Sequence, residues 1–422
     1  MEGFIMKKKI LAIFLVVAMV AALAVGLTAC KKDGGGEVDY SNIKIGMLCL
    51  HDKNSTYDKN FITAMEEVQR ELGLRDDQVI IKTGIPEDDT CYQEAMNLVD
   101  AGCNIIFADS FGHEAYMLKA AKKAPKVLFA HATGTRAHTE NLPNFVNAFA
   151  SIYEGRFLAG VAAGLKLNEM IAAGKFTAEE AKMGYVGAYT YAEVISGYTS
   201  FYLGAKSVCP TVKMDVQFTG SWYDETGEKE AANLLIGRGC KLISQHADSM
   251  GAPNACETAK VPNVSYNGST FSACPETFIV SSRINWAPYY KYLAEQIVNA
   301  KGDVNKANVA KDWTGTIATG SVELTAFGTA ATAGTAEKVA EIKAKLEKGE
   351  LHVFNTNTFT KDGAKLETYM ANVNFEDDGT GKDNNKPDTQ VIENGIFFES
   401  KHRSAPYFDV RIDGITLLNE KY

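Results

Sequence analysis

Glu94-Ala95-Met96-Asn97-Leu98 leading to Gly102-Cys103-Asn104-Ile105-Ile106, and Glu230-Ala231-Ala232-Asn233-Leu234 leading to Gly239-Cys240-Lys241-Leu242-Ile243, are one pattern written twice. The copies lie about 136 residues apart, the second with one extra residue. Each reads as a helix that stops at a glycine and feeds a strand. Each strand then opens into a polar loop: Asp109-Ser110-Phe111-Gly112 in the first copy, His246-Ala247-Asp248-Ser249 in the second. A repeat this long is no solenoid. It predicts two similar α/β lobes, the alternative being chance likeness between two βα units.

The flanking sequence continues the rhythm. Ile43 to Leu50 reads as a strand, and Phe61, Met65, Val68 and Leu72 follow at helical spacing up to Gly73. A helix around Glu114 to Lys123 precedes a strand at Val127 to Ala130. Such alternation predicts parallel sheets with right-handed crossovers. The length of 422 residues fits two such domains rather than one core. A formal net charge of -9 argues against a nucleic-acid partner, which would require a basic face to displace counterions from phosphates. After Glu350 the pattern changes, with a charged, Asn-rich stretch from Gly381 to Asp388 and a strand and turn across Phe397 to Tyr407. Asp377 to Asp383 is acidic but lacks the EF-hand spacing and its closing Glu, and reads as a solvated turn.

At the other end, Lys7, Lys8 and Lys9 precede an uncharged run from Ile10 to Leu27, and Leu27-Thr28-Ala29-Cys30 follows. This layout predicts a secretory signal over residues 1–29. The last four residues resemble the bacterial lipobox, in which the cysteine, here Cys30, is lipidated and becomes the new N-terminus. The alternative is a short membrane anchor. Residues 30–39, with Gly34-Gly35-Gly36, read as a flexible tether. Cleavage removes three lysines and Glu2, taking the formal charge from -9 to -11. Seven further cysteines remain, an odd number that leaves at least one free thiol. Cys256 and Cys274 could pair; small buried hydrophobes are the plainer reading.

The chain has no G-x-S-x-G elbow, phosphate-binding P-loop, H-E-x-x-H helix, dinucleotide fingerprint or C-x-x-C. No enzyme motif, cofactor or metal ion is therefore expected. Ligands of open α/β sheets bind beyond the carboxyl ends of the strands, and the polar and aromatic residues there are the candidates. Tyr57 stands in the loop His51 to Phe61 at a helix N-terminus, either as a stacking face or packed on the body. His131 ends the Val127 to Ala130 strand, and Trp222 precedes a helix that Asp224 could cap. Asp248 and Asn267 follow strands at Leu242 to Gln245 and Ser265-Tyr266. Two aromatics with a rim of His, Asp and Asn suit a flat heterocycle with a hydrogen-bonding edge.

Several motifs in order carry a resemblance: Tyr153-Glu154-Gly155-Arg156-Phe157-Leu158-Ala159-Gly160, the strand Met183 to Gly187, Trp222-Tyr223-Asp224 with Glu228 to Ala232, and a late strand at Val353-Phe354. Between about Ile43 and Phe354 the chain resembles the BMP (basic membrane protein) family. These are lipoprotein substrate-binding components of ABC importers, similar to PnrA-type purine nucleoside receptors. The resemblance implies a periplasmic-binding-protein type I fold, two Rossmann-like α/β lobes joined by a three-strand hinge. Crossings would fall near Ala150, Asn285 and Thr325, giving an N-terminal lobe of 40–150 plus 285–325. The C-terminal lobe would be 151–284 plus 326–422, with an acidic extension. It also implies that Tyr57 stacks on the base, that His131 supplies a polar contact, and that Phe111 and Trp222 wall the cleft.

Two departures bear on the ligand. The acid expected to hold ribose appears as Asn267 in Ser265-Tyr266-Asn267, and the lysine expected in Ser281 to Trp286 is absent. An acid accepts two hydrogen bonds from vicinal hydroxyls, whereas Asn offers one acceptor and a donor. The expected ligand is therefore a purine base over a nucleoside, delivered to an ABC permease by a protein lipid-anchored on the extracytoplasmic face. Two alternatives stand: the same architecture with a sugar or signalling ligand, and a secreted nucleoside-processing enzyme using His131 and Asp248 as acid and base.

Overall fold

The computed structural model describes residues 38–420. The signal segment and Cys30 lie outside the described residues. Two sheets organise the chain. The first runs in the order Asp312–Gly315, Phe145–Ala150, Leu128–Ala132, Ile105–Ala108, Ile45–Leu48, Val79–Lys82, with every neighbour parallel. The second runs Val322–Leu324, Phe278–Ile284, Asn263–Tyr266, Leu242–His246, Lys182–Gly187, Lys213–Phe218, Ile415–Leu417. Only Val322–Leu324 is antiparallel to its neighbour. In both sheets the lobe's first strand sits between its second and third, with the fourth and fifth following. Strands such as Ile45–Leu48 and Ile105–Ala108 are buried at every residue, as parallel strands covered by helices on both faces must be.

The repeated pattern falls on equivalent units. Helix Asp89–Asp100 feeds Ile105–Ala108 and helix Glu225–Gly237 feeds Leu242–His246, the third strand of each lobe. Gly102 and Gly239, in the two connecting turns, have φ of 83° and 88°, where a side chain would be strained.

The chain passes between lobes three times. It leaves Phe145–Ala150 for helix Ile152–Ala172, and leaves Phe278–Ile284 for helix Ala287–Asn299, which packs on helix Thr56–Glu71 of the first lobe. The third passage lies between Gly315 and Val322, earlier than Thr325, because Val322, Glu323 and Leu324 already pair with Ile284, Arg283 and Ser282 of the second sheet.

The C-terminal segment departs from expectation. Val353-Phe354 is a buried turn, not a strand. Its apolar side chains fill a small aromatic core in which Phe354 stacks on Phe408 at 4.1 Å. The segment belongs to the second lobe through Ile415–Leu417, which lies parallel to Lys213–Phe218. It also reaches the first lobe: the backbone N–H and hydroxyl of Ser404 donate to Asp312 Oδ1 at 2.8 and 2.9 Å, and the Arg136 guanidinium lies over the Phe375 ring. In the acidic turn, Asp377 Oδ1 accepts from the backbone of Gly379 and Gly381.

Cys49, Cys91, Cys103, Cys209, Cys240, Cys256 and Cys274 are all free, and none is more than 3% exposed. Burial pushes every one of these thiols up, Cys91 to about 12. Because thiolate is the reactive form, a thiol-specific chromogenic reagent should titrate none of the seven in the native protein and all seven after denaturation. Fast native labelling of any of them contradicts this packing.

Candidate functional site

A tight cavity lies between the carboxyl ends of the strands of the two sheets. The first lobe contributes Leu50, His51, Tyr57, Asp58, Ser110, Phe111 and Thr133; the second contributes Glu193, Trp222, His246, Asp248 and Tyr266. None of these residues is a lysine or an arginine. Around the cavity the lobes touch. Thr56 donates through its backbone N–H and its hydroxyl to the Asp248 carbonyl at 3.0 and 3.2 Å. Phe111 meets Tyr191 at 5.2 Å and His51 meets Tyr223 at 5.6 Å, each pair joining one lobe to the other. The arrangement is a closed one.

The loop after each lobe's first strand delivers an aromatic and a carboxylate at a helix N-terminus. In the first lobe Ser55 caps helix Thr56–Glu71 by accepting from Asp58 N–H, which sets Tyr57 and Asp58 in the first turn. The Tyr57 hydroxyl donates to the Asp109 carbonyl at 2.8 Å, and its ring packs edge-on against Phe61, itself stacked on Trp286. Tyr57 is thus fixed by its hydroxyl and one edge. In the second lobe Glu193 lies in the first turn of helix Ala192–Val208, and Trp222 packs edge-to-face on Tyr189 at 5.0 Å.

Carboxyl groups dominate the electrostatics. Burial alone would raise Asp58, but hydrogen bonds from His51 and Ser55 outweigh it and hold the group below its ordinary range. Asp109 behind it is pushed well up by burial and by the charge of Asp58. Asp248 is likewise pushed well up, by burial and then by Asp58, Glu228 and Glu193. Cys49, Asp58 and Asp109 come within 4.8 Å of one another. Burial drives the thiol and the Asp109 carboxyl of that trio toward their protonated forms.

Of the residues singled out from sequence, Tyr57, Phe111, Trp222 and Asp248 line the cavity. His131 does not. It lies inside strand Leu128–Ala132, fully buried, with Nε2 on the Ser110 carbonyl at 2.7 Å, and burial drives its imidazole down to about 3. It supports the loop carrying Phe111 rather than facing a ligand. Asn267 also lies off this wall: at φ 63° it turns into a neighbouring cleft beside Lys59 and Arg283, with its flank against Asp248. Arg283 occupies the stretch where a lysine was expected and is paired with Glu323 at 2.5 Å. Glu193, His246, Tyr266 and Asp58 were not singled out. The lobe repeat was the available signal for Glu193, since its loop is the second-lobe counterpart of the one holding Tyr57.

Two Rossmann-like lobes closing on one cleft define a solute-binding protein of the periplasmic type I fold. The chain belongs to the Bmp family, described as ABC transporter substrate-binding protein PnrA-like, whose model matches residues 47–353. A purine-binding protein of Brucella abortus (strain 2308) is 28% identical over 79% of this chain and 89% of its own length. A Haloferax volcanii protein, provisionally named an ABC transporter glucose-binding protein, is 29% identical over 61% of this chain and 60% of its own. A solved solute-binding protein of an ABC transporter system from Conexibacter woesei shares the fold with a TM-score of 0.58 at 19% identity. It covers 74% of this chain and 98% of that one. The protein is therefore an ABC-type substrate-binding protein, and no helix among the described residues is long and apolar enough to cross a membrane.

Proposed function

We propose that this protein is the extracytoplasmic receptor of an ABC importer for a purine, anchored by lipid at Cys30, which closes over a free base and hands it to the membrane permease. The carrying observation is the make-up of the cavity. Aromatics from both lobes, Tyr57 and Trp222, offer stacking surface, while Glu193 and Asp248 offer carboxyl groups, and no lysine or arginine lines the cavity. A flat, uncharged heterocycle with N–H donors fits that wall, and a phosphate does not. The purine-binding relative supports this reading. Preference for base over nucleoside rests on Asn267, which stands where the resemblance expects a ribose-holding acid and lies off the wall. The Haloferax relative favours a sugar as the second reading, since aromatics and carboxylates also hold sugar hydroxyls.

Calorimetry with adenine, guanine, hypoxanthine, xanthine, their nucleosides and D-glucose separates these ligands. One-to-one binding of a free base without turnover is expected. Tight nucleoside binding with no base binding sinks the base preference, glucose binding alone sinks the purine, and turnover of inosine or adenosine points to an enzyme. Tyr57→Ala and Trp222→Ala should each weaken binding by about 1–3 kcal/mol, the scale of stacking on a base. Unchanged affinity in both rejects the cavity as the binding site.

A further inference from the structure

We infer that Glu193 and Tyr266 are the specificity-determining pair of the cavity: the Glu193 carboxylate accepts from an N–H of the bound base, and the Tyr266 hydroxyl donates to the ring nitrogen or carbonyl oxygen next to it. This rests on the purine reading and says which groups read the base.

The assignment follows from which polar groups in the wall are already used. Asp58 accepts from His51 N–H at 2.7 Å and from the Ser55 hydroxyl at 2.6 Å. The Tyr57, Ser110 and Thr133 hydroxyls donate to the Asp109 carbonyl, to Glu87 and to the Ala132 carbonyl. Asp248 has Asn267 at its flank. Among the groups that remain, two share one neighbour, His246. The Tyr266 hydroxyl is buried in a side chain 1% exposed and has no partner among the described residues. Glu193 engages one oxygen, Oε1, and among the described residues Oε2 carries no hydrogen bond. A buried hydroxyl without a partner costs free energy in the empty protein, and a ligand acceptor recovers it.

Both groups flank one imidazole. His246 Nε2 lies 3.3 Å from Glu193 Oε1, and the His246 ring lies 4.1 Å from the Tyr266 ring. Behind them Arg156 Nη2 donates to the Tyr185 hydroxyl at 3.1 Å, and that hydroxyl lies 3.4 Å from His246 Nδ1. Arg156 has only donors, so the Tyr185 proton is free to point at Nδ1, which leaves the proton of the neutral imidazole on Nε2, facing Glu193. The donors all run toward the carboxylate, which orients it and strengthens it as an acceptor. A helix first turn carries Glu193 and a strand end carries Tyr266, so the pair is held by rigid elements. Adjacent N–H and acceptor atoms occur on the edges of a free purine, and glycosylation at a ring nitrogen removes an N–H.

The test is calorimetry of the wild type, Glu193→Gln and Tyr266→Phe with adenine and hypoxanthine, alongside melting of the ligand-free proteins. Each variant should bind about tenfold or more weakly, and the wild-type preference between the two bases should shrink. Tyr266→Phe removes a hydroxyl unpartnered in the free protein, so its melting temperature should hold or rise while affinity falls. A structural role predicts the reverse. Wild-type affinity in both variants, or equal losses for both bases at an unchanged preference, overturns the inference alone. A wild type that binds no purine overturns it together with the proposed function. Should one variant misfold, the other decides by the same criteria.

Discussion

Phe408→Ala is expected to cost about 3–5 kcal/mol of stability, the range for deleting a fully buried phenyl ring. Phe408 is 0% exposed, lies flat on Phe354 at 4.1 Å and meets Phe397 edge-on at 4.7 Å. Phe354 in turn contacts Tyr153 at 5.1 Å, in the first turn of helix Ile152–Ala172. This core lies at and beyond the end of the family match at residue 353. Its ring packing into the helix that follows the first lobe passage makes the extension part of the cooperative fold and not a loose tail. Denaturant unfolding should therefore show a lower midpoint with an unchanged slope. A loss below about 1 kcal/mol, or a separate early transition for the segment, would falsify that coupling.

The alternation of strand and helix was legible because apolar periodicity and glycine stops are local signals, and the repeat placed both lobes before any contact was known. Tyr57, Phe111, Trp222 and Asp248 could be picked out because each follows a strand end, where this architecture opens its cleft. His131 misled for a physical reason. Strand Leu128–Ala132 continues through it, so a polar residue that reads as a strand end is inside the sheet. Asn267 misled because it lies in the neighbouring cleft, beside Asp248, and Asn tolerates its left-handed backbone, φ 63°, without announcing it. Tyr266 read as a strand residue and is one; that its hydroxyl ends unpartnered at the cavity depends on side-chain direction. Val353-Phe354 is a short apolar run, which periodicity cannot assign to a strand or to packing without knowing what covers it. The clustering of Arg156, Tyr185, His246 and Glu193 spans four elements and leaves no mark in the linear order.

Glu228→Gln should gain on the wild type as pH rises, by about 3 kcal/mol between pH 4.5 and 8. Glu228 is 0% exposed and joins the two second-lobe loops at the cavity. It accepts from Asp224 N–H at 3.2 Å and, through both oxygens, from Ser249 N–H, so it ties the Trp222 loop to the Asp248 loop. Burial pushes its carboxyl up to about 7 from an ordinary 4.5. The folded state therefore holds the proton at pH values where the unfolded chain has released it. The stability contributed by that protonated group is complete below 4.5 and is lost as pH rises through 7. Glutamine carries no proton to lose, so the variant keeps its stability across the window. The comparison has to be a difference between proteins. Glu154 and Glu399 are also pushed up to about 7, while His113, His131 and His246 are pushed down by burial and cost stability as pH falls below 6.5. Those groups are common to both proteins and cancel. Urea unfolding of each at pH 4.5, 6 and 8 gives the difference directly. A difference that stays flat across the three values means that Glu228 is ionised in the fold throughout, held so by its two backbone donors, Asp224 N–H and Ser249 N–H.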